Sequence, residues 1–215
     1  MGGYQSKERL VRPDGSPKFS ISFSDEEFDV KWIMGGCIPA YRSTFDWLKD
    51  NNVGMIITLT IDKLKPGRNI NHVPFEHDNT QWTDSDLTDP EDLTEFVIEH
   101  VPIADACPPT PANAELLVKV VSNYRNTHPD KKIYFHCWGG SGRTCTAIIY
   151  VLMKMYNLTF ERALKIIRTY ALFRGNYPLK KAQESFLKRE ALPDGYDKHS
   201  EPIVKTPTDH KCYVV

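Results

Sequence analysis

The 215-residue chain lacks the features that mark several classes of protein. No apolar run approaches the ~20 residues that a membrane-spanning helix needs, so we expect no such helix. With 27 Lys and Arg against 28 Asp and Glu, the net charge of −1 gives no global field for binding nucleic acid. The 7 histidines include no i, i+4 pair and no CxxC motif is present, so we expect neither a metal nor another cofactor.

Cysteine is also scarce, with 5 residues, an odd number, scattered along the chain. Together with the absence of a recognisable secretion signal, this scatter predicts reduced thiols in a cytoplasmic protein. The length predicts one catalytic domain, over residues 20–192. Because proline and glycine punctuate both ends, we expect a flexible arm at 1–19 and a disordered tail at 193–215.

The most informative stretch is a strand-like run, a glycine-rich loop and an apolar helix-like run in direct succession. Residues 133–136 precede Cys137, glycines recur within 138–142, and residues 147–153 are apolar. Glycines let backbone N–H groups converge on an oxyanion at a helix N-terminus. The stretch therefore predicts an anion-binding loop with a cysteine at its floor.

The side chains of this stretch suit nucleophilic attack on phosphorus. Loop amides, the helix N-terminus and Arg143 all favour the thiolate form of Cys137. Arg143 can bind two phosphate oxygens through its planar guanidinium. The Thr144 hydroxyl can stabilise the thiolate as it leaves, and His136 is expected to orient the loop backbone. The residues predicted to bind phosphate are Trp138, Gly139, Gly140, Ser141, Gly142 and Arg143.

The order His136-Cys137, five residues, Arg143-Thr144 resembles the active-site motif of the protein tyrosine phosphatase superfamily. The strand–helix–strand pattern that contains Gly35-Gly36, Pro39, Leu48-Lys49 and Val53 is similar to the start of dual-specificity phosphatase domains, a branch of this superfamily. A Walker A loop is excluded, because it requires lysine where Arg143 stands. Within the branch the chain looks most like the cyclin-dependent kinase-associated phosphatases, on the strength of Trp138, Gly139, Gly140, Cys145 and residues 102–105.

This resemblance implies an α/β fold with a central, mostly parallel sheet flanked by helices and a helical C-terminal part. It also implies a general acid on a mobile loop, since the leaving oxygen of a phosphomonoester needs a proton. Residues 101–105 resemble that loop and Asp105 precedes Cys137 by 32 positions (137 − 105). Asp78, in the acidic segment 76–95, is the alternative, but it lies farther from the cysteine.

Residues 182–187 resemble the glutamine segment of related branches, which implies that Gln183 positions the water that hydrolyses a phosphocysteine. Residues 1–6 fit an N-myristoylation pattern at Gly2, and Cys212, fourth from the end, fits an imperfect prenylation site. Both terminal patterns are short enough to occur by chance. If both were lipidated, the chain would bind membranes stably.

We therefore predict a metal-independent phosphomonoester hydrolase that acts on phosphotyrosine and phosphoserine/threonine proteins through a phosphocysteine. A kinase is one candidate substrate, and the resemblance implies a monomer without nucleic-acid partners. A phosphoinositide phosphatase remains an alternative, although that class tends to place lysines where Trp138 and Ser141 stand. A pseudophosphatase would lack Cys137 or Arg143, and a rhodanese-like sulfurtransferase has no use for an acid at Asp105.

Oxidants attack cysteines that are exposed and whose pKa is low. We therefore expect reversible oxidation at Cys137, with Cys107 or Cys145 as the candidate resolving thiol.

Overall fold

The computed structural model describes residues 21–39, 42–61, 94–173 and 178–191. These residues form a five-stranded sheet with helices on both faces. The strands are β1 (Ile21–Ser22), β2 (Ile33–Gly36), β3 (Val53–Thr58), β4 (Val97–His100) and β5 (Lys132–His136). The helices are α1 (Arg42–Asp50), α2 (Pro111–Thr127), α3 (Gly142–Tyr156), α4 (Phe160–Phe173) and α5 (Lys181–Glu190).

The strands lie in the order β1-β2-β5-β3-β4, so the strand that precedes the glycine-rich loop is central. β2, β5, β3 and β4 run parallel, and only the short β1 pairs antiparallel, with β2. Strands of a parallel sheet are covered on both faces, which explains the unbroken apolar runs of β3 and β5. The carboxyl ends of β2 and β3 therefore flank the loop that follows His136.

Two hydrophobic cores lie on opposite faces of the sheet. On one face Ile133 and Phe135 of β5 pack into the larger core, which includes most of α3 and the inner sides of α2, α4 and α5. On the other face Tyr134 packs with Phe45 and Leu48 of α1. Because α3 is buried from Arg143 to Met153, its N-terminus is held in a fixed position behind the loop.

The predicted fold class is confirmed, including the helical C-terminal part. Thr110 caps α2 as a Thr-Pro start suggests, with its Oγ1 accepting from the Asn113 N–H at 3.2 Å. In the part of the chain that the structure describes, no helix is long and apolar enough to cross a membrane. The predicted arm, 1–19, and tail, 193–215, lie outside the described residues.

Candidate active site

The loop between β5 and α3 folds against the end of β2. Gly140 has φ +64°, and a Cβ placed on it would lie 2.3 Å from the carbonyl carbon of Gly36 and 2.6 Å from the amide nitrogen of Cys37. Any side chain at position 140 would therefore require a strained backbone and a shift of β2. The glycine is needed for the close approach that closes one side of the loop.

Backbone hydrogen bonds fix both ends of the same loop. The Ile38 N–H donates to the Trp138 carbonyl at 3.0 Å, and the Leu59 N–H donates to the His136 carbonyl at 2.9 Å. The residues that follow β2 and β3 thus hold the loop between them. The position of Cys137 is consequently set by three neighbouring strands rather than by the loop alone.

His136 is fully buried beneath the loop. Its Nδ1 lies 3.2 Å from the Cys137 carbonyl oxygen and its Nε2 lies 3.0 Å from Thr58 Oγ1. Burial lowers the pKa of His136 to about 3, and the charges of Arg143 and His100 act in the same direction, against the hydrogen bond to Cys137. A neutral ring that donates from Nδ1–H to the Cys137 carbonyl and accepts at Nε2 from Thr58 satisfies both contacts. The predicted orienting role has this geometric basis.

Cys137, at the start of the loop, is only 3% exposed, so the expectation that its sulfur is exposed is wrong. α3 begins at Gly142, so Arg143 and Thr144 both lie in its first turn, and the side chain of the N-cap residue Ser141 makes no capping hydrogen bond. First-turn N–H groups without a side-chain cap suit an anionic ligand. The buried Thr144 hydroxyl has no hydrogen-bond partner among the described residues, which suits its predicted role beside the thiolate.

Asp105 and Arg143 meet directly. The Arg143 Nη2 atom lies 3.0 Å from Asp105 Oδ1, and its Nη1 donates to the Ile103 carbonyl at 3.4 Å. The two side chains differ in exposure, at 10% for Arg143 and 69% for Asp105. The arginine is thus fixed in the wall of the site, while the carboxylate lies at its solvent-facing edge.

Gln183, near the start of α5, is buried against the same region. Its Nε2 donates to the Cys107 carbonyl at 3.1 Å, and its Oε1 accepts from the Lys180 N–H at 3.0 Å. A Cβ on Gly142 would lie 2.8 Å from Gln183 Oε1, so the amide packs on Gly142, the first residue of α3. Its water-positioning role stays a prediction.

The structure thus brings the predicted loop, Asp105 and Gln183 together around the N-terminus of α3. Asp78, Gly2 and Cys212 lie outside the described residues, so the alternative acid and the lipidation sites are untested. Two contributors were missed from sequence. Thr58, the partner of His136, is a hydroxyl at the end of an apolar strand, and Gly36 belongs to a Gly-Gly pair that ends β2. In both cases the signal in the sequence is the residue type at the last position of a strand.

Among the described residues no group of His, Cys, Asp or Glu side chains could hold a metal ion. Of the cysteines in the described ranges, Cys37, Cys137 and Cys145 are not in disulfides. The choice between Cys107 and Cys145 as the residue that resolves an oxidised Cys137 stays a prediction.

Residues 34–156 match the family model described as "Polymorphic toxin system, DSP-PTPase phosphatase". The chain belongs to this phosphatase family. The match covers the loop and Asp105, and it supports a phosphatase of the protein tyrosine phosphatase superfamily. No curated protein matches the phosphatase chain significantly in sequence.

Solved structures of phosphatases share the fold of the chain. A Gly-to-Ala variant of Tk-PTP is 16% identical with a TM-score of 0.55, covering 79% of this chain and 93% of that one. A kinase associated phosphatase with its catalytic cysteine changed to serine is 15% identical, with a TM-score of 0.55 and coverage of 75% and 86%. PTPMT1 in complex with PI(5)P is 20% identical, with a TM-score of 0.52 and coverage of 73% and 87%. A special closeness to the kinase-associated branch therefore stays a prediction.

Proposed function

We propose that this phosphatase hydrolyses phosphotyrosine and phosphoserine/threonine in proteins through a phosphocysteine intermediate. The observation that carries the proposal is the 3.0 Å contact between Arg143 and Asp105 at the helix N-terminus that follows Cys137. In this proposal Arg143 is the cation that binds phosphate, Asp105 beside it is the acid, and the loop begins with the nucleophile Cys137. Such a set supplies each group that phosphomonoester cleavage needs.

In the first step the Cys137 thiolate attacks phosphorus and the P–O bond to the leaving group breaks. Arg143 and the loop amides stabilise charge on the phosphoryl oxygens, in a transition state where positioning and electrostatics supply most of the catalysis. Asp105 transfers its proton to the leaving oxygen. In this proposal the phosphate binds the Arg143 guanidinium where the Asp105 carboxylate lies in this structure.

In the second step a water molecule attacks phosphorus on the opposite side of the P–S bond. The Asp105 carboxylate accepts a proton from this water, and the bond to sulfur breaks. Inorganic phosphate leaves and the Cys137 thiolate is restored, and we assign its stabilisation to the buried Thr144 hydroxyl in the first turn of α3. The acid is reprotonated in the same step, so the cycle closes without a cofactor.

The loop composition favours proteins over inositol lipids as substrates. Additional phosphates on a lipid headgroup call for additional cations, yet the loop positions between Cys137 and Arg143 hold no lysine. Because PTPMT1, of similar fold, was solved with PI(5)P, a phosphoinositide phosphatase is the second candidate function. Phosphatase activity itself is common to both.

The test is phosphate release in EDTA by the wild type and by Cys137→Ser, since serine keeps the size of the side chain but is a far poorer nucleophile at neutral pH. Substrates are a phosphotyrosine peptide, a phosphothreonine peptide and vesicles of each phosphoinositide. We expect peptide turnover that is lost in the variant. Turnover of lipids alone would establish the second candidate. Equal rates for wild type and variant, or turnover of thiosulfate in place of phosphate release, would contradict the proposed chemistry.

The description of the matched family refers to polymorphic toxin systems, which suggests that the chain acts in such a system. In this setting the chain would act as a toxin that removes phosphate from proteins of a target cell. Expression of the wild type in test cells should then slow growth, whereas Cys137→Ser should not. Equal growth of both cultures at equal protein levels would argue against a toxin role.

We further propose a monomeric protein that acts in the cytoplasm on a phosphorylated protein, for which a kinase is one candidate. Membrane attachment would depend on lipids at Gly2 and Cys212. Metabolic labelling with alkynyl fatty acid and alkynyl isoprenoid, in the full chain and in Gly2→Ala and Cys212→Ser, tests each lipid separately. Label that is unchanged by the matching variant would rule out that site.

A further inference from the structure

The buried amide of Gln183 lies where three segments meet: the start of α5, the first residue of α3, and the loop that carries Asp105. It accepts from the N–H of Lys180, the N-cap residue of α5, at 3.0 Å and donates to the carbonyl of Cys107 at 3.1 Å. Its packing on Gly142 leaves no room for even a methyl group there. The side chain is thus enclosed, with 0% exposure.

The residue that receives this hydrogen bond closes the turn around Asp105. The Cys107 N–H donates to the Ala104 carbonyl at 3.1 Å, and Ala106 within the turn has φ +58°. A left-handed alanine is a strained backbone position that surrounding contacts must maintain. By holding the Cys107 carbonyl, Gln183 fixes the turn on the side that follows the acid.

The other side of the same loop has anchors of its own. The Ile103 N–H donates to the Leu59 carbonyl at 3.1 Å, and the Asn113 side chain donates to the Pro102 carbonyl at 2.7 Å. These bonds fix the loop before Asp105. After Asp105, the Gln183 amide donates a side-chain hydrogen bond to the loop at the Cys107 carbonyl.

We propose that Gln183 is a positioning residue for the general acid, which acts by fastening the Cys107 carbonyl so that the turn presents Asp105 beside Arg143. The inference depends on the proposed function, in which Asp105 protonates the leaving oxygen. It differs from the role implied by family resemblance, in which Gln183 positions the attacking water. A side chain that is enclosed and bonded at both Nε2 and Oε1 is better placed to hold a loop than to hold a solvent molecule.

The two roles act on different chemical steps. A displaced acid slows transfer of the phosphoryl group to Cys137, and it does so most for leaving groups that need a proton. A misplaced water slows breakdown of the phosphocysteine, whatever the leaving group. A general acid supplies on the order of 10²–10⁴-fold in rate, so partial displacement should cost roughly tenfold or more.

The experiment compares the wild type with Gln183→Met, which keeps the length of the side chain and removes its amide. Phenyl phosphate, with a poor leaving group, and 2,4-dinitrophenyl phosphate, with a good one, are hydrolysed under rapid-mixing conditions. We expect the rate of phenol release in the first turnover to fall at least tenfold, with the dinitrophenyl rate within about threefold of wild type. We also expect no burst of phenol beyond that of the wild type.

Three further variants separate the possible outcomes: Asp105→Asn, Phe186→Leu and Gln183→Glu. Asp105→Asn should show the same leaving-group dependence more strongly, and if it shows none, the proposed acid is wrong. If Asp105→Asn shows the dependence and Gln183→Met does not, the inference about Gln183 is overturned while the proposed function stands. A phenol burst in Gln183→Met would likewise overturn it, in favour of the water-positioning role.

Phe186→Leu is the matched structural control, because Phe186 is buried in α5 and packs on Tyr150 at a ring separation of 5.5 Å. It should lower the melting temperature without changing the ratio of the two substrate rates. If Gln183→Met does not fold, Gln183→Glu serves in its place. Glutamate can still accept from the Lys180 N–H, but its carboxylate faces the Cys107 carbonyl without a donor, so the same selective loss on phenyl phosphate is expected.

Discussion

Acid should destabilise the folded phosphatase through His136, a titratable group that the fold keeps neutral. Burial first, and then the charges of Arg143 and His100, lower the pKa of His136 to about 3 from its ordinary 6.5. Between these two values the unfolded chain binds a proton that the folded chain excludes. The contribution of His136 to the free energy of unfolding is therefore fully present above pH 6.5 and is lost as the pH falls toward 3.

The size of this effect follows from the shift. One pKa unit corresponds to about 1.4 kcal/mol, so the loss from this one group is about 2 kcal/mol between pH 7 and pH 5. It grows to about 4 kcal/mol at pH 3, which is a large part of the stability of a typical domain. Protonation at Nε2 would also turn the acceptor that faces Thr58 Oγ1 into a donor.

The assay is reversible urea unfolding, followed by tryptophan fluorescence in reducing buffer at half-unit steps from pH 8 to pH 4. His136→Asn removes the titration while leaving a polar side chain below the Cys137 carbonyl. The variant should be less stable than wild type at pH 7, yet lose about 2 kcal/mol less between pH 7 and pH 5. Parallel pH profiles for the two proteins over this interval would refute the reasoning.

Three other outcomes are expected at the site. Arg143→Lys should lower kcat/KM for phosphopeptides on the order of 10²-fold or more in steady-state assays, because an ammonium lacks the bidentate donor geometry of a guanidinium. A near-normal kcat/KM would contradict phosphate binding by Arg143. Gly140→Ala should cost about 1–3 kcal/mol in urea unfolding and reduce turnover, because its Cβ would overlap Gly36, and unchanged stability would contradict the close approach. Peroxide should inactivate the wild type in a manner that dithiothreitol reverses, whereas inactivation that persists after dithiothreitol would exclude a reversible state of Cys137.

Much of the fold was predictable because its signals are local. The apolar runs of β3 and β5 identify strands covered on both faces, and the glycine-rich loop between β5 and α3 predicts an anion site. Cys137 and Arg143 lie six positions apart (143 − 137) along one continuous stretch, so their proximity follows from the chain itself.

The remainder of the site depends on contacts between distant segments. The Thr58 hydroxyl meets His136 across 78 positions, and the Gln183 amide meets the Cys107 carbonyl across 76. A single sequence shows a threonine and a glutamine at these places, but it does not show the register of β3 beside β5 or the packing of α5 on the loop. For Gln183 the resemblance drew attention to the residue, and the structure added the hydrogen bond that suggests a different task.

The close approach between Gly140 and the end of β2 limits how this family can diversify. Because the backbone of Gly36 and Cys37 occupies the volume where a side chain at 140 would go, substitutions there require concerted changes in two segments. Gly139 and Ser141, by contrast, are partly exposed on the rim of the loop. Single mutations at the rim can therefore alter substrate choice one at a time. A change at Gly140, by contrast, has to be accompanied by a change at Gly36 and Cys37.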